Sequence, residues 1–344
     1  MLAEELDFVI GVDTHADSHT LAFVAAPSGG LLGQQTIATT ARGYDQALRI
    51  ARAQASGRRA WALEGSGCYG AGLARFLAER GERVLEVERP TRQQRRRGKS
   101  DGIDALAAAR CLLGQKRWAQ PRAGGQRAEL AALVSTREGA MQARRAALCQ
   151  LRAHLLALPP ARRERLTGLT RTRLLERLGA LRPRTGAELN GLELSLRSLA
   201  RRLRALEREE RALKRQIAHR VIELAAWLLA EPGIGPITAA QLLIPWSHRG
   251  RLWGESAFAR LGGVAPIPAS SGKAVRHRLD RGGDRQLNRA LHTIIVSRRK
   301  RHAPTIAYIA RRHGEGKSER EAIRCLKRFL ARSLFRKLEA MPTA

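Results

Sequence analysis

Apolar and polar positions follow two different periods along this chain. ELDFVIGVD (5–13) and HTLAFVAA (19–26) are apolar runs split by a short polar turn, and LLGQQTIAT (31–39) follows a PSGG turn, so the opening predicts a three-stranded meander. ARGYDQALRIARAQA (41–55) has helical spacing, RAWALEG (59–65) is a short apolar strand, AGLARFLAER (71–80) a helix and ERVLEVE (82–88) a further strand. Another helix begins at Asp101, which gives the order βββαβαβα.

From residue 127 the pattern changes to long, Arg-rich, leucine-spaced helices. Leu192, Leu199, Leu206 and Leu213 recur every seventh residue, interleaved with Leu196, Leu203, Glu210 and Ile217, an a/d seam with one polar member. That pattern predicts a helical hairpin or a coiled-coil arm. LPPARRERLTG (158–168) reads as a hinge, because Pro159 and Pro160 end a helix. Residues 229–344 predict a helix–turn–helix at LLAEPGIGPITAAQLL, a Gly/Pro/Ser-rich loop at GGVAPIPASSGK and basic C-terminal helices.

Composition narrows the function. The 344 residues carry 63 Lys and Arg against 31 Asp and Glu, a formal charge of +32, which calls for a polyanionic partner, nucleic acid before all others. Apolar residues make up 44% but aromatics only 4%, so the cores are built from Leu, Ala, Val and Ile. No apolar run reaches the ~18 residues of a membrane span, and MLAEELDFVIGV opens with acids rather than a basic leader, so the expectation is a soluble cytoplasmic protein. Cys68, Cys111, Cys149 and Cys325 show neither CxxC pairing nor histidine spacing, which argues against structural zinc or a disulfide framework.

Against this basic background the acids stand out. Asp101 and Asp104 lie at i and i+3 behind a predicted Ser100 N-cap, so both face one side of the first helical turn. Acids there also complement the helix dipole, worth ~0.3–1 kcal/mol each without any chemistry. Asp13 ends the first strand in VIGVDTH and Glu64 the fourth in AWALEGSG, and a charge at the end of a buried strand is costly unless it is paired or binds a cation. Three antiparallel strands followed by alternating α and β units is the element order of a ribonuclease H-like sheet, in which the first and fourth strands are neighbours and the final helix crosses their ends. All four carboxylates then converge and could hold two Mg²⁺ ions ~3.5–4 Å apart for in-line phosphoryl transfer. The basic run TRQQRRRGK (91–99), with Arg95, Arg96, Arg97 and Lys99, would hold the phosphate backbone that such a pocket otherwise repels.

Two further motifs lie in the last third. Gly233 and Gly235 in EPGIGPITA (231–239) predict a tight turn between helices whose N–H groups approach phosphate, similar to a helix–hairpin–helix module. PASSGKAVRHR (268–278) offers Ser270 and Ser271 flanked by Lys273 and Arg276, with no Ser/His/acid arrangement nearby.

Taken together, GVDTH, LEGSGCYG, KSDGIDA, PGIGPITA and GGVAPIPASSGK resemble, in order and spacing and over nearly the whole chain, a DEDD transposase of the insertion sequence 110 family, related to Piv-type DNA invertases. The resemblance implies an α/β RuvC-like catalytic domain at 1–158, a helical coiled-coil connector at 159–228 and a mainly α transposase domain at 229–344. It implies a site-specific recombinase that cleaves and rejoins DNA to mobilise its own element. Asp13, Glu64, Asp101 and Asp104 would bind the metals, Mg²⁺ with Mn²⁺ as a substitute, and Ser271 would be the nucleophile forming a transient covalent link to DNA. The partners implied are DNA, a structured bridge RNA encoded by the element, and further copies of the chain as dimers assembling to a tetramer with shared active sites. Two features depart from the pattern: Gly283–Asp284 stands where relatives are expected to carry Gly-Asn, and Ser270 adjoins Ser271, which is chosen because it precedes Gly-Lys. The competing readings are a RuvC-like junction resolvase using water as nucleophile, and a basic architectural or RNA-binding protein without metal chemistry.

If the 91–99 run holds phosphates, replacing Arg95, Arg96 and Arg97 together with Gln weakens binding to duplex DNA and lowers the slope of log K against log salt by ~0.9 per lost contact. Fluorescence anisotropy over a salt series measures this, and an unchanged slope assigns the run to a passive solvent face.

Overall fold

The computed structural model describes residues 2–87, 100–114, 116–186, 188–270 and 277–341. Contacts divide the chain into two compact units, one formed by Met1–Ala128 with Gln241–Ala344 and the other by Glu129–Ala240. The three segments expected from changes in composition follow sequence character. Contacts group the ends of the chain instead, since charged side chains far apart in sequence pair in the interior of the first unit.

That unit opens with a short helix α1 (Leu2–Glu5), β1 (Phe8–Thr14), β2 (Ser18–Ala25), β3 (Leu31–Ala38), α2 (Ala41–Gln54), β4 (Arg59–Glu64), α3 (Ala71–Glu79), β5 (Val84–Val87) and α4 (Asp101–Leu113). The strands form one sheet in the order β3-β2-β1-β4-β5. β1, β2 and β3 pair antiparallel, as the short polar turns require, whereas β4 lies parallel to β1 and β5 parallel to β4 because each is reached through a helix. The meander and the alternating units expected from the periodicity are therefore present.

Because side chains alternate along a strand, each face has its own core. Ile10, Val12, Leu21, Phe23, Trp61 and Leu63 pack under Ala47, Leu48 and Ala51 of α2 and Leu73 and Leu77 of α3. On the opposite face Val9, Val24, Ala60, Ala62, Leu85 and Val87 meet Ala108, Ala109, Leu112 and Leu113 of α4. Gly11 belongs to this second face, and a Cβ there would lie 1.9 Å from the carbonyl oxygen of Ala105 and 2.7 Å from the amide of Ala109. The α4 backbone thus rests directly on β1.

The second unit contains most of α5 (Gly125–Leu156), with α6 (Pro160–Glu164), α7 (Arg171–Gly179) and α8 (Asn190–Ala225), followed by a single 3₁₀ turn over Ala226–Ala230. α5 stops at Leu156 and α6 restarts at Pro160, as the Pro159–Pro160 pair predicts. Leu196, Leu199 and Leu203 of the seven-residue seam are buried against Ala147 and Leu151 of α5 and Leu175 and Leu178 of α7. Glu210, the polar member, meets Arg137 at 2.8 Å and Arg144 at 2.9 Å, and Glu129 meets Arg220 at 3.1 Å. These pairings run in opposite directions along α5 and α8, so the two form an antiparallel hairpin. Its partner is the chain itself over this half of the seam, while Leu206 and Leu213 are only partly buried.

α9 (Pro236–Trp246) spans the boundary of the two units. The rest of the first unit comprises α10 (Glu255–Leu261), the two-residue strands β6 (Ile267–Pro268) and β7 (His277–Arg278), α11 (Arg285–Arg298), α12 (Ala303–Gly314) and α13 (Glu319–Glu339). Leu287, Ala290, Leu291, Ile294 and Ile295 of α11 and Ala331, Leu334 and Leu338 of α13 are buried. Ser318 and Glu321 close a reciprocal capping box at the start of α13. Mixed α/β structure thus occupies the start of the chain and mainly helical structure the remainder.

Gly11→Ala must drive α4 away from β1. The expected loss is ~1–3 kcal/mol or more, the range seen when atoms are forced into a packed interior. Urea denaturation checks it, with Gly139→Ala as the contrasting control, since a Cβ there meets nothing and alanine in the interior of α5 should gain ~0.5–1 kcal/mol.

Candidate active site

β1 and β4 are adjacent and parallel, and their pairing runs to Val12 opposite Leu63. The next residue on each strand is an acid, Asp13 on β1 and Glu64 on β4. By alternation both belong to the face covered by α4, since Gly11 and Ala62, two positions earlier, lie on that face. The Thr14 hydroxyl donates to the backbone carbonyl of Glu64 at 3.0 Å and ties the two strand ends together. After Glu64 the chain turns sharply through Gly65, whose φ of +69° favours glycine.

The other two acids arrive from α4. Ser100 caps the helix, its hydroxyl accepting from the amide of Ile103, and Asp101 and Asp104 occupy the first turn. Asp101 lies one turn before Ala105, the residue that touches Gly11, so the helix seat carries the acids to the end of β1. The Gln34 side chain donates to the carbonyl of Gly102 at 2.8 Å and holds this end of α4 to β3.

Between the two elements sits His15. Its Nε2 lies 3.1 Å from Asp13 Oδ2 and 3.5 Å from Asp101 Oδ1. One donor atom from each of Asp13, His15 and Asp101 falls within 4.8 Å of the others, a spacing that could hold a metal ion. Asp13 is the sheltered member, 13% exposed, while Asp101 is 57% exposed and reachable from solvent. Burial pushes the Asp13 carboxyl above its ordinary value, His15 opposes the shift, and Asp104 and Asp101 add to it. Asp104 is thus close enough to be felt by Asp13. The Glu64 carboxylate lies outside the three-donor cluster, though its strand end adjoins that of Asp13.

Of the expected acids, three are brought together and the fourth stands on the adjoining strand end. Sequence reasoning passed over His15. The signal was its place two residues after Asp13, since alternate positions of an extended chain share a face. Arg95, Arg96, Arg97, Lys99, Ser271, Lys273 and Arg276 lie outside the described residues. Ser270 is exposed and follows β6, which pairs antiparallel with β7. Gly233 has φ +77° and so needs glycine, whereas a Cβ at Gly235 would meet nothing. The Thr238 hydroxyl lies 2.9 Å from both the amide nitrogen and the carbonyl oxygen of Gly235, so that amide is already engaged. Asp284, at the departure from the expected Gly-Asn pair, caps α11 by accepting from the amides of Gln286 and Leu287.

With the acids on one sheet end, comparison with known families becomes decisive. A DEDD transposase model of the IS110 type matches residues 10–160, which include all four acids. A second model, described as Transposase IS116/IS110/IS902 family, matches residues 225–310. The chain belongs to the IS110 family of transposases. No curated protein matches it significantly. This transposase is therefore an enzyme that cleaves and rejoins DNA, and its family is one that uses divalent metal. Hard carboxylate oxygens around a carboxyl that burial and like charges hold above its ordinary pKa suit a small divalent cation, which relieves both penalties. Among the described residues no helix is long and apolar enough to cross a membrane.

The raised pKa means that ionised Asp13 opposes folding of the metal-free transposase. By linkage, a carboxyl whose folded pKa exceeds its unfolded one loses stability as pH rises through that interval and stays less stable above it. Asp13→Asn consequently raises the melting temperature of metal-free protein at neutral pH, and a cation held at Asp13 would show as a rise with Mg²⁺ in wild type that this variant lacks. Calorimetry with and without Mg²⁺ measures both effects.

Proposed function

We propose that the first 158 residues are a RuvC-like catalytic domain, that Asp13, Glu64, Asp101 and Asp104 bind two Mg²⁺ ions, and that Ser271 is the nucleophile of DNA strand exchange. The observation that carries this reading is the meeting of Asp13 with Asp101 and Asp104 at the end of β1, beside the end of β4 that bears Glu64, in a chain of +32 charge. The strand order with a central parallel pair supports the ribonuclease H-like assignment. Divalent ions at such a site stabilise the charge that develops on the attacking and leaving oxygens.

Each side chain then has a definite task. Asp13, sheltered and flanked by acids, is relieved by a bound cation of both the burial and the like-charge penalty, so its charge is matched to the loaded state. Asp101, the more exposed carboxylate, faces incoming substrate. The Ser271 oxygen attacks phosphorus and forms a serine phosphodiester, the bond from phosphorus to the departing sugar oxygen breaks, and that oxygen takes the serine proton. Rejoining reverses the step with a different strand, so bond energy is conserved through both cleavage and closure. Lys273 and Arg276 beside the serine, Arg95, Arg96, Arg97 and Lys99 before α4, and the Gly233–Gly235 turn would hold backbone phosphates. The excess of basic residues over acids also provides for a structured bridge RNA alongside DNA. A dimer assembling to a tetramer would bring the serine of one copy to the carboxylates of another.

Ser271→Ala retains DNA binding but gives no covalent adduct on a nicked substrate, whereas Ser270→Ala retains it. Asp13→Asn, Glu64→Gln, Asp101→Asn and Asp104→Asn each lower cleavage by several orders of magnitude. Denaturing electrophoresis of the trapped complex, followed by peptide mapping, reads both results. Metal-dependent cleavage with no adduct from any variant or from wild type points to hydrolysis by water, and an adduct on Ser270 moves the nucleophile by one residue.

A further inference from the structure

Two residues beyond Glu64 stands Ser66, a buried hydroxyl in the turn that leaves β4. It donates to Glu86 Oε2 on β5 at 2.6 Å and accepts from the amide of Arg122 at 3.2 Å. The same Glu86 oxygen accepts from Nη2 of Arg251 at 2.9 Å, and Arg251 is only 2% exposed. The other arm of that guanidinium donates to the carbonyl of Pro245 at 2.9 Å, and the Arg251 carbonyl accepts from the amide of Gln120 at 3.1 Å. Arg122 completes the cluster, its Nε 3.6 Å from Glu86 Oε1 and its side chain against Gly67 of the same turn.

This geometry joins three parts of the chain that sequence separates widely: the turn after β4, the edge strand β5 and the residues around Arg251. A buried guanidinium fork has little freedom, because each arm that leaves its acceptor leaves an unpaired charge inside. Glu86 is therefore fixed by Arg251, and in turn fixes the hydroxyl of Ser66. The chain between Ser66 and Glu64 is a single residue, Gly65, which offers no side chain to hold the turn by packing. Thr14 supports the Glu64 carbonyl from the β1 side, and the Ser66–Glu86 hydrogen bond supports the turn from the β5 side.

We infer that Ser66, Glu86 and Arg251 are positioning residues through which the Gln241–Ala344 part of the first unit orients the strand end bearing Glu64 for metal binding. The inference rests on the proposed role of Glu64 as a metal ligand. None of the three touches the reacting atoms. Their effect is on the placement of one carboxylate, and so on metal affinity more than on fold or DNA binding.

The test is Mn²⁺ binding to the full chain, followed by the loss of the free-ion electron paramagnetic resonance signal, with circular dichroism and melting temperature as controls. Ser66→Ala leaves the Glu86–Arg251 pair in place, and the expected result is a native spectrum with Mn²⁺ affinity lowered by about 10-fold or more, the usual effect of removing a group that supports a metal ligand. Arg251→Lys keeps the charge but not the fork, and is expected to weaken Mn²⁺ comparably. Combining Ser66→Ala with Glu86→Gln should cost no more than the worse single variant, because both break one hydrogen bond. Wild-type Mn²⁺ affinity in folded Ser66→Ala overturns the inference, as does strict additivity in the double variant. Glu64→Gln separates the two levels. If it leaves Mn²⁺ binding intact, the metal reading of Glu64 fails, whereas loss of binding there beside normal binding in Ser66→Ala removes the positioning role alone.

Discussion

The acid cluster depends on the contact between the backbone of α4 and Gly11 of β1. A helix normally lies on a sheet at a distance fixed by the side chains between them. Here glycine on the strand and Ala105, Ala108 and Ala109 on the helix remove most of that layer. The first turn of α4 is thereby lowered onto the end of β1, and Asp101 and Asp104 come within electrostatic reach of Asp13. Hydrogen bonds refine the position, through the Ser100 cap and Gln34, but neither would bring the acids together if a larger side chain stood at position 11. Steric absence at one residue is what permits the charge cluster.

Electrostatics gives that cluster a distinct character within a strongly basic chain. Elsewhere acids answer arginines: Asp7 accepts from Arg58, Glu82 from Arg59, and Glu210 from both Arg137 and Arg144. Asp13 and Asp101 instead share a histidine, a weaker and conditional countercharge. Acids in a first helical turn gain only ~0.3–1 kcal/mol each from the dipole. Burying a carboxylate among like charges costs more than that unless something compensates. The dipole account therefore fails for Asp13, which is on a strand, and a bound cation is the compensation that fits. Under the proposed metal role, function and stability pull against one another at this residue.

Much of this was legible in the linear pattern. Alternation placed the five strands, the short turns marked which are antiparallel, and the strand-end positions of Asp13 and Glu64 came from where each apolar run stops. What escaped were facts about neighbours. Gly11 inside an apolar run looks like a weak point of a strand, and only the helix above it reveals a seat. His15 reads as a turn residue until Asp101 is seen beside it. The leucine seam at 192–217 has the same period whether it meets a second chain or its own, and Arg137 and Arg144, more than sixty residues before Glu210, are what turn its polar position inward upon the chain. Arg251 and Glu86 are ordinary charged residues in sequence, and no local rule predicts that an arginine so near an exposed loop is almost wholly buried.

These neighbours also explain why composition and compactness divide the chain differently. Composition changes at the long helices, while cohesion tracks pairs such as Trp246 with Glu339 and Arg251 with Glu86. The carboxylates inherit that arrangement unequally. Asp13, Asp101 and Asp104 depend on a contact between β1 and α4, both within the first 113 residues. Glu64 depends on a turn whose buried hydroxyl is held through Glu86 by an arginine from the far end of the chain. One part of the acid set is thus built locally, and the other is braced by the segment that also carries the serines. On the proposed reading of the four acids, a site with one locally fixed part and one part answerable to a distant segment makes metal binding sensitive to the state of both.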